Sequence, residues 1–149
     1  MSNVVRLEEK FVVAIRNLLG QVGKDIRLTK NVFDKSAFNV NFVILAQEVI
    51  KRYLNPAIPK IKEVQKNLVQ LKRYNVARKQ TDSASDLMLE LADDLLIDVV
   101  IAKKNLEDIR LRSNAPILAQ VVIKKTLIPA LNKMKILRFA IPTTAELWG

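Results

Sequence analysis

Apolar residues recur every three or four positions along almost the whole chain of 149 residues. This spacing places them on one face of an α-helix, and no segment shows the alternation that is typical of a half-buried strand. The first apolar stripe comprises Val4, Leu7, Phe11, Ile15, Leu18, Val22 and Ile26. The pattern predicts an all-α protein whose stripes pack together as a bundle.

Five helices are predicted from the positions where the stripes begin and end, at about residues 4–28, 36–54, 58–79, 83–112 and 116–139. The stretch "LNPAIP" is expected to end the second helix, because a residue before proline avoids the helical region. Pro129 is expected to kink the fifth helix. We therefore predict a single-domain bundle of four to five helices over residues 1–140, a tail at 141–149, and no internal repeat.

The chain contains neither cysteine nor histidine. This excludes disulfides, thiolate zinc sites, histidine-ligated metals and nucleophiles activated by histidine. The three glycines, Gly20, Gly23 and Gly149, do not fit a phosphate-binding loop. We expect a non-enzymatic protein that uses no cofactor and no metal. No signal peptide or membrane span is recognisable, so we expect a cytoplasmic protein without a membrane partner.

An acidic cluster in "ELADDLLID" contains Glu90, Asp93, Asp94 and Asp98. Its spacing differs from an aspartate-rich magnesium motif, because Ile97 occupies the place of the third acid of a DDxxD pattern. Helical geometry turns these four acids away from the apolar stripe of the predicted fourth helix. We interpret them as a solvated acidic face.

Charge is distributed unevenly along a chain whose net charge is +10. Residues 55–81 carry seven bases and one acid, whereas residues 82–115 carry four bases and eight acids. An excess of positive charge favours association with polyanions. The third predicted helix is therefore the basic element of the bundle, and the fourth is the acidic one.

The third helix presents a row of bases opposite its predicted core stripe of Ile61, Val64, Leu68 and Leu71. Lys62, Lys66 and Arg73 lie in this row, and only Glu63 interrupts the basic character of the helix. The candidate nucleic-acid-binding residues are Lys62, Lys66, Lys72, Arg73, Arg78 and Lys79. The sequence has no recognisable base-reading motif, so we expect contacts to the phosphate backbone of RNA or DNA. Two alternatives stay open, which are contact with an acidic helix of this chain or another copy, and simple solvation.

Three apolar residues are candidates for a partner interface, namely Ile97, Ile101 and Trp148. The two isoleucines fall on the outward acidic face of the fourth helix, where either the tail, the fifth helix or a second molecule can cover them. The sequence thus predicts a non-enzymatic basic helical subunit of a nucleoprotein assembly that contacts nucleic-acid backbone without sequence specificity. The alternative is a viral or other structural protein that self-associates through its basic and acidic helices.

Overall fold

The computed structural model describes residues 3–35, 42–77, 83–109 and 115–141, and the prediction of an all-α bundle is confirmed within these ranges. The α-helices are α1 (Asn3–Lys35), α2 (Phe42–Val49), α3 (Asn55–Ala77), α4 (Ser83–Ile109), α5 (Ala115–Val122) and α6 (Ile128–Ala140). A π-helical turn at Ile50–Leu54 joins α2 to α3, and another at Ile123–Leu127 joins α5 to α6. The described residues therefore form four continuous helices.

The first helix extends beyond its predicted end near Leu28 and continues to Lys35. Thr29 and Phe33 prolong the buried stripe by two further turns, so residues 29–35 belong to the first helix. The buried Thr29 hydroxyl donates to the carbonyl of Asp25 at 2.9 Å, which satisfies the polar group inside the core. Burial of Phe33 gives these turns a packing contact that the short periodic pattern did not reveal.

The prediction that "LNPAIP" ends a helix is wrong, because α2 and α3 continue into each other through Pro56 and Pro59. The preceding π turn explains how the first proline is accommodated. The N–H of Asn55 donates to the carbonyl of Ile50, five residues back, and the wider turn relieves the clash of a proline ring with the carbonyl four residues before it. The interruption expected at Pro129 has the same form, since the N–H of Ile128 donates to the carbonyl of Ile123.

Helices α1 and α4 each pack against both α3 and α6. Consequently α1 and α4 occupy two opposite corners of the bundle, and α3 and α6 occupy the other two. One continuous apolar core lies between them. The predicted stripe of α3 is confirmed, because all four of its members, Ile61, Val64, Leu68 and Leu71, are buried.

An internal repeat relates the two halves of the chain, so the prediction that there is none is wrong. Residues 44–62, "ILAQEVIKRYLNPAIPKIK", match residues 117–135, "ILAQVVIKKTLIPALNKMK", at 12 of 19 positions, with an offset of 73 residues. The two π turns are separated by the same offset. The predicted helix end at "LNPAIP" splits residues 44–62 between two predicted helices. The similarity of this segment to residues 117–135 is therefore hidden.

The repeat includes α1 and α4, where few residues are identical. Six buried positions of α1 correspond to six buried positions of α4 under the same offset. These pairs are Ile15 and Met88, Leu19 and Ala92, Val22 and Leu95, Ile26 and Val99, Thr29 and Ala102, and Phe33 and Leu106. Each half is therefore one long helix followed by one helix with a π turn, and the two halves bury their apolar faces against each other.

Equivalent ion pairs connect the two helices within each half. Lys60 Nζ lies 2.9 Å from Asp25 Oδ2, and Lys133 Nζ lies 2.5 Å from Asp98 Oδ2. Both members of the second pair follow those of the first by 73 residues.

Within the described ranges, no helix combines the length and apolar character needed to cross a membrane.

Candidate nucleic-acid interface

The predicted basic row of α3 lies on the surface of the bundle. Lys62, Lys66 and Arg73 are all exposed, and their spacing of four and seven residues keeps them on one side of the helix. Among the described residues, no carboxylate forms an ion pair with any of the three. These side chains are therefore positioned to meet an external anion.

The other side chains of the predicted set are less accessible or lie outside the described residues. Lys72 pairs with Asp86 of α4, and Gln65 donates to Asp93 of the same helix at 2.6 Å. One alternative from the sequence was that the basic helix contacts an acidic helix of this chain. The structure shows this contact for Lys72 and Gln65 of α3 with α4. Arg78, Lys79 and Trp148 fall outside the described residues, so their predicted roles stay predictions.

A second cationic surface lies in the groove between α1 and α6. Arg27, Lys135 and Arg138 line a cavity of about 110 Å³, together with Leu131 and Met134. A cavity of this size admits several water molecules and hence a small oxyanion. All three cations are exposed, so an anion in the cavity has a path from solvent.

Gly23 makes room for two of the side chains that line this cavity, Met134 and Arg27. A Cβ atom at this position would lie 2.7 Å from Met134 Cε and 3.2 Å from Arg27 Nη1. The absence of a side chain allows α6 to approach α1 and allows the Arg27 guanidinium to lie against the helix backbone. The glycine therefore serves packing, and α1 continues without a break through Gly20 and Gly23.

The groove contains no compensating acid in the part of the chain that the structure describes. Residues 115–141 include no Asp or Glu. The acids of α1 whose side chains are described are Asp25, which pairs with Lys60, and Asp34, which pairs with Lys30. The three cations of the cavity are consequently available to an external anion, and their mutual repulsion is relieved when one binds.

The acidic face of α4 is only partly as predicted. Glu90, Asp93 and Asp94 are exposed, but Asp98 is turned towards α6, where its side chain is 14% exposed and contacts Lys133. The prediction that Asp98 lies opposite the core is therefore wrong, because this position of α4 faces Lys133 of α6. Among the described residues, no group of three or more acids is placed to hold a metal ion.

The two isoleucines predicted at a partner interface are on the surface of the described bundle. Ile97 is 53% exposed and Ile101 is 42% exposed. No helix of the described part of the chain covers them, although α6 is the neighbour of α4. Ile136 of α6 is also exposed, at 52%.

Sequence reasoning did not identify Arg27, Lys135 and Arg138 as site residues. Their helices come from opposite ends of the chain, and only the packing of α1 against α6 brings them together. Two signals were present, namely the glycines of α1 and the absence of acids from residues 115–141.

In comparisons with protein-family models, curated proteins and solved structures, none was found to match this chain.

Proposed function

We propose that this chain is a non-enzymatic basic subunit of a nucleoprotein assembly, and that it contacts nucleic-acid backbone without reading sequence. The observation that carries the proposal is the row of Lys62, Lys66 and Arg73, three aligned and exposed bases that have no carboxylate partner among the described residues. Phosphate groups attract such a row through charge alone, which gives affinity without base specificity. The excess of ten positive charges over the whole chain acts in the same direction.

We expect Lys62, Lys66 and Arg73 to contribute more to phosphate binding than the neighbouring lysines of α3. Lys72 contributes less, since its ammonium group is engaged by Asp86. Lys60 points to the other flank of α3, where it pairs with Asp25. The row is a strip along one helix, which suits contact with successive phosphates of one strand.

The test compares two variants that change the net charge equally. Lys66→Glu with Arg73→Glu alters the row, and Lys124→Glu with Lys125→Glu alters exposed lysines on the diagonally opposite helix. Each phosphate contact releases counterions, so loss of two contacts should flatten the log–log salt dependence of affinity by about 1.8 on duplex DNA and about 1.4 on single strands. Fluorescence anisotropy at several salt concentrations measures this slope.

Binding of unrelated sequences should weaken equally in the row variant and much less in the control variant. Equal losses in both variants would mean that only the total charge matters and that the row is not a site. Undiminished binding by the row variant would also reject the assignment. Far-UV circular dichroism establishes that both variants are folded.

A second candidate function is self-association through α4, and it is favoured by the exposed isoleucines. Under the 73-residue offset, Ile97 corresponds to Lys24, Ile101 to Leu28 and Ile136 to Glu63. Two positions that are charged in the first half are therefore apolar and exposed in the second half. Exposed apolar side chains grouped on one surface favour a contact between molecules. Such a contact is compatible with an assembly on nucleic acid.

A further inference from the structure

The groove between α1 and α6 combines its three cations with an exposed aromatic ring. Phe139 is 93% exposed, the highest value among the exposed large apolar side chains that the structure describes. It follows Lys135 by four residues, so the two side chains are neighbours on the surface of α6. The ring therefore stands beside the cavity that Arg27, Lys135 and Arg138 line.

Exposure of this phenylalanine has a free-energy cost that an aromatic or apolar partner would remove. Burying a phenylalanine side chain is favourable relative to leaving it in water. A single exposed apolar residue needs no explanation by itself. A nearly fully exposed ring next to three cations without an acid is, however, the combination used to bind single strands, with phosphates held by charge and bases stacked on aromatic faces.

The equivalent groove between α3 and α4 lacks both arginines and the exposed ring, although Lys62 occupies the place of Lys135. The 73-residue offset places Leu96 at the position of Gly23, Val100 at that of Arg27, and Asp93 at that of Gly20. Lys66 occupies the place of Phe139, and Gln65 occupies that of Arg138. Asp93 accepts a hydrogen bond from Gln65, so these equivalent positions include an acid and no arginine. The cationic cavity is thus a property of one groove and does not follow from the repeat.

We propose that the groove between α1 and α6 binds single-stranded nucleic acid, holding one backbone phosphate among Arg27, Lys135 and Arg138 and stacking one base on Phe139. This inference deepens the proposed function, on which it rests for the class of ligand, but it concerns a different surface from the α3 row. The row accepts phosphates of either a duplex or a single strand, since it contains no aromatic platform. The groove requires an unpaired base, because a base within a duplex has no free face for the ring.

The stacking contact is tested with Phe139→Ala and Phe139→Tyr on the full chain. A fluorescently labelled oligothymidylate serves as the single strand, and a duplex of mixed sequence serves as the comparison. Loss of one stacked base should weaken binding of the single strand about tenfold in Phe139→Ala, whereas Phe139→Tyr should bind nearly as the unaltered chain does. Affinity for the duplex should be unchanged in both variants.

The phosphate contact is tested with Arg27→Glu and Lys135→Glu combined, against the control pair Lys124→Glu and Lys125→Glu. The control lysines are exposed on the same continuous helix but do not line the cavity. Since the groove holds one phosphate, the groove variant should flatten the log–log salt dependence of single-strand affinity by about 0.7, and the control should flatten it much less. If the Glu variant melts below the assay temperature, Arg27→Gln with Lys135→Gln removes the charges without reversing them.

Three outcomes would overturn the inference. The first is single-strand binding by Phe139→Ala that equals that of the unaltered chain. The second is an equal loss in the groove and control variants. The third is full competition by inorganic phosphate at constant ionic strength, which would make the cavity a site for a free anion. Loss of binding in the groove variant with none in the α3 row variant would reject the row and support the groove, so the two proposals fail separately.

Discussion

Individual side chains separate into those whose environment follows from their own helix and those whose environment depends on a neighbour. The exposure of Lys62, Lys66 and Arg73 was predictable, because the inner face of α3 is fixed by its own apolar stripe. The pairing of Lys72 with Asp86, and the meeting of Arg27 with Lys135, depend on which helices lie side by side. Helical periodicity carries no information about that choice of neighbours.

The exposed isoleucines of α4 give a prediction at this scale. Ile97→Asp with Ile101→Asp should weaken concentration-dependent assembly and change the free energy of unfolding of the monomer by less than about 1 kcal/mol, since both side chains face solvent in the described bundle. Light scattering measures assembly, and urea titration measures stability.

The equivalent residues of the first half, exposed Lys24 and half-buried Leu28, provide the control for that pair. Lys24 and Leu28 occupy the equivalent places on α1, and Lys24→Asp with Leu28→Asp should leave assembly intact. Unfolding of the isoleucine variant would show that the two side chains are buried within one molecule. Unchanged assembly would reject the contact between molecules.

The helices were predictable from their apolar stripes, but the π turns that connect α2 to α3 and α5 to α6 were not. A proline-containing segment such as "LNPAIP" normally signals a helix end, yet the π turn at Ile50–Leu54 accommodates Pro56 and keeps α2 and α3 continuous. The same device recurs at Ile123–Leu127 before Pro129. Two occurrences at the same place in both halves indicate that the π turn belongs to the repeated unit.

Equivalence of the two halves leads to a prediction about their ion pairs. The side chains of Lys60 and Asp25 are 28% and 13% exposed, and those of Lys133 and Asp98 are 26% and 14% exposed. Partial burial reduces solvent screening to a similar degree in both pairs. Double-mutant cycles with Asp→Asn and Lys→Met should therefore give coupling energies of about 1 kcal/mol in each half.

Thermal or urea unfolding of the single and double variants measures these two coupling energies. A cycle with the same substitutions at Asp94 and Lys24, which are exposed on the diagonally opposite helices α4 and α1, supplies the baseline for a coupling of zero. Clear coupling in one half with none in the other would contradict the structural equivalence of the pairs.

In the whole molecule, the two halves share an architecture and differ in surface chemistry. The first half contributes the α3 row, and both halves contribute to the groove between α1 and α6. The second half presents most of the exposed large apolar side chains, including Ile97, Ile136 and Phe139. We therefore propose a duplicated bundle that binds nucleic acid through the α3 row and the groove between α1 and α6, and that contacts other subunits through α4.

The pairing of the halves explains why composition alone gave only the class of the protein. Net charge and the absence of cysteine and histidine restrict the available chemistry, and apolar periodicity gives the helices. The groove arises from the packing of the first helix against the last, which depends on how the repeated units close into one bundle. The internal repeat is visible in the sequence, but the contact of α1 with α6 is seen only in the structure.

We propose that nucleic acid is the partner of this chain. The most direct test is the ultraviolet absorbance of the protein, purified from its own cells without a high-salt step. With one tryptophan and two tyrosines, the chain absorbs weakly at 280 nm, so bound nucleic acid changes the 260 to 280 nm ratio strongly. We expect a raised ratio that falls after nuclease treatment and a wash in high salt. A ratio typical of protein alone, identical before and after nuclease, would contradict it.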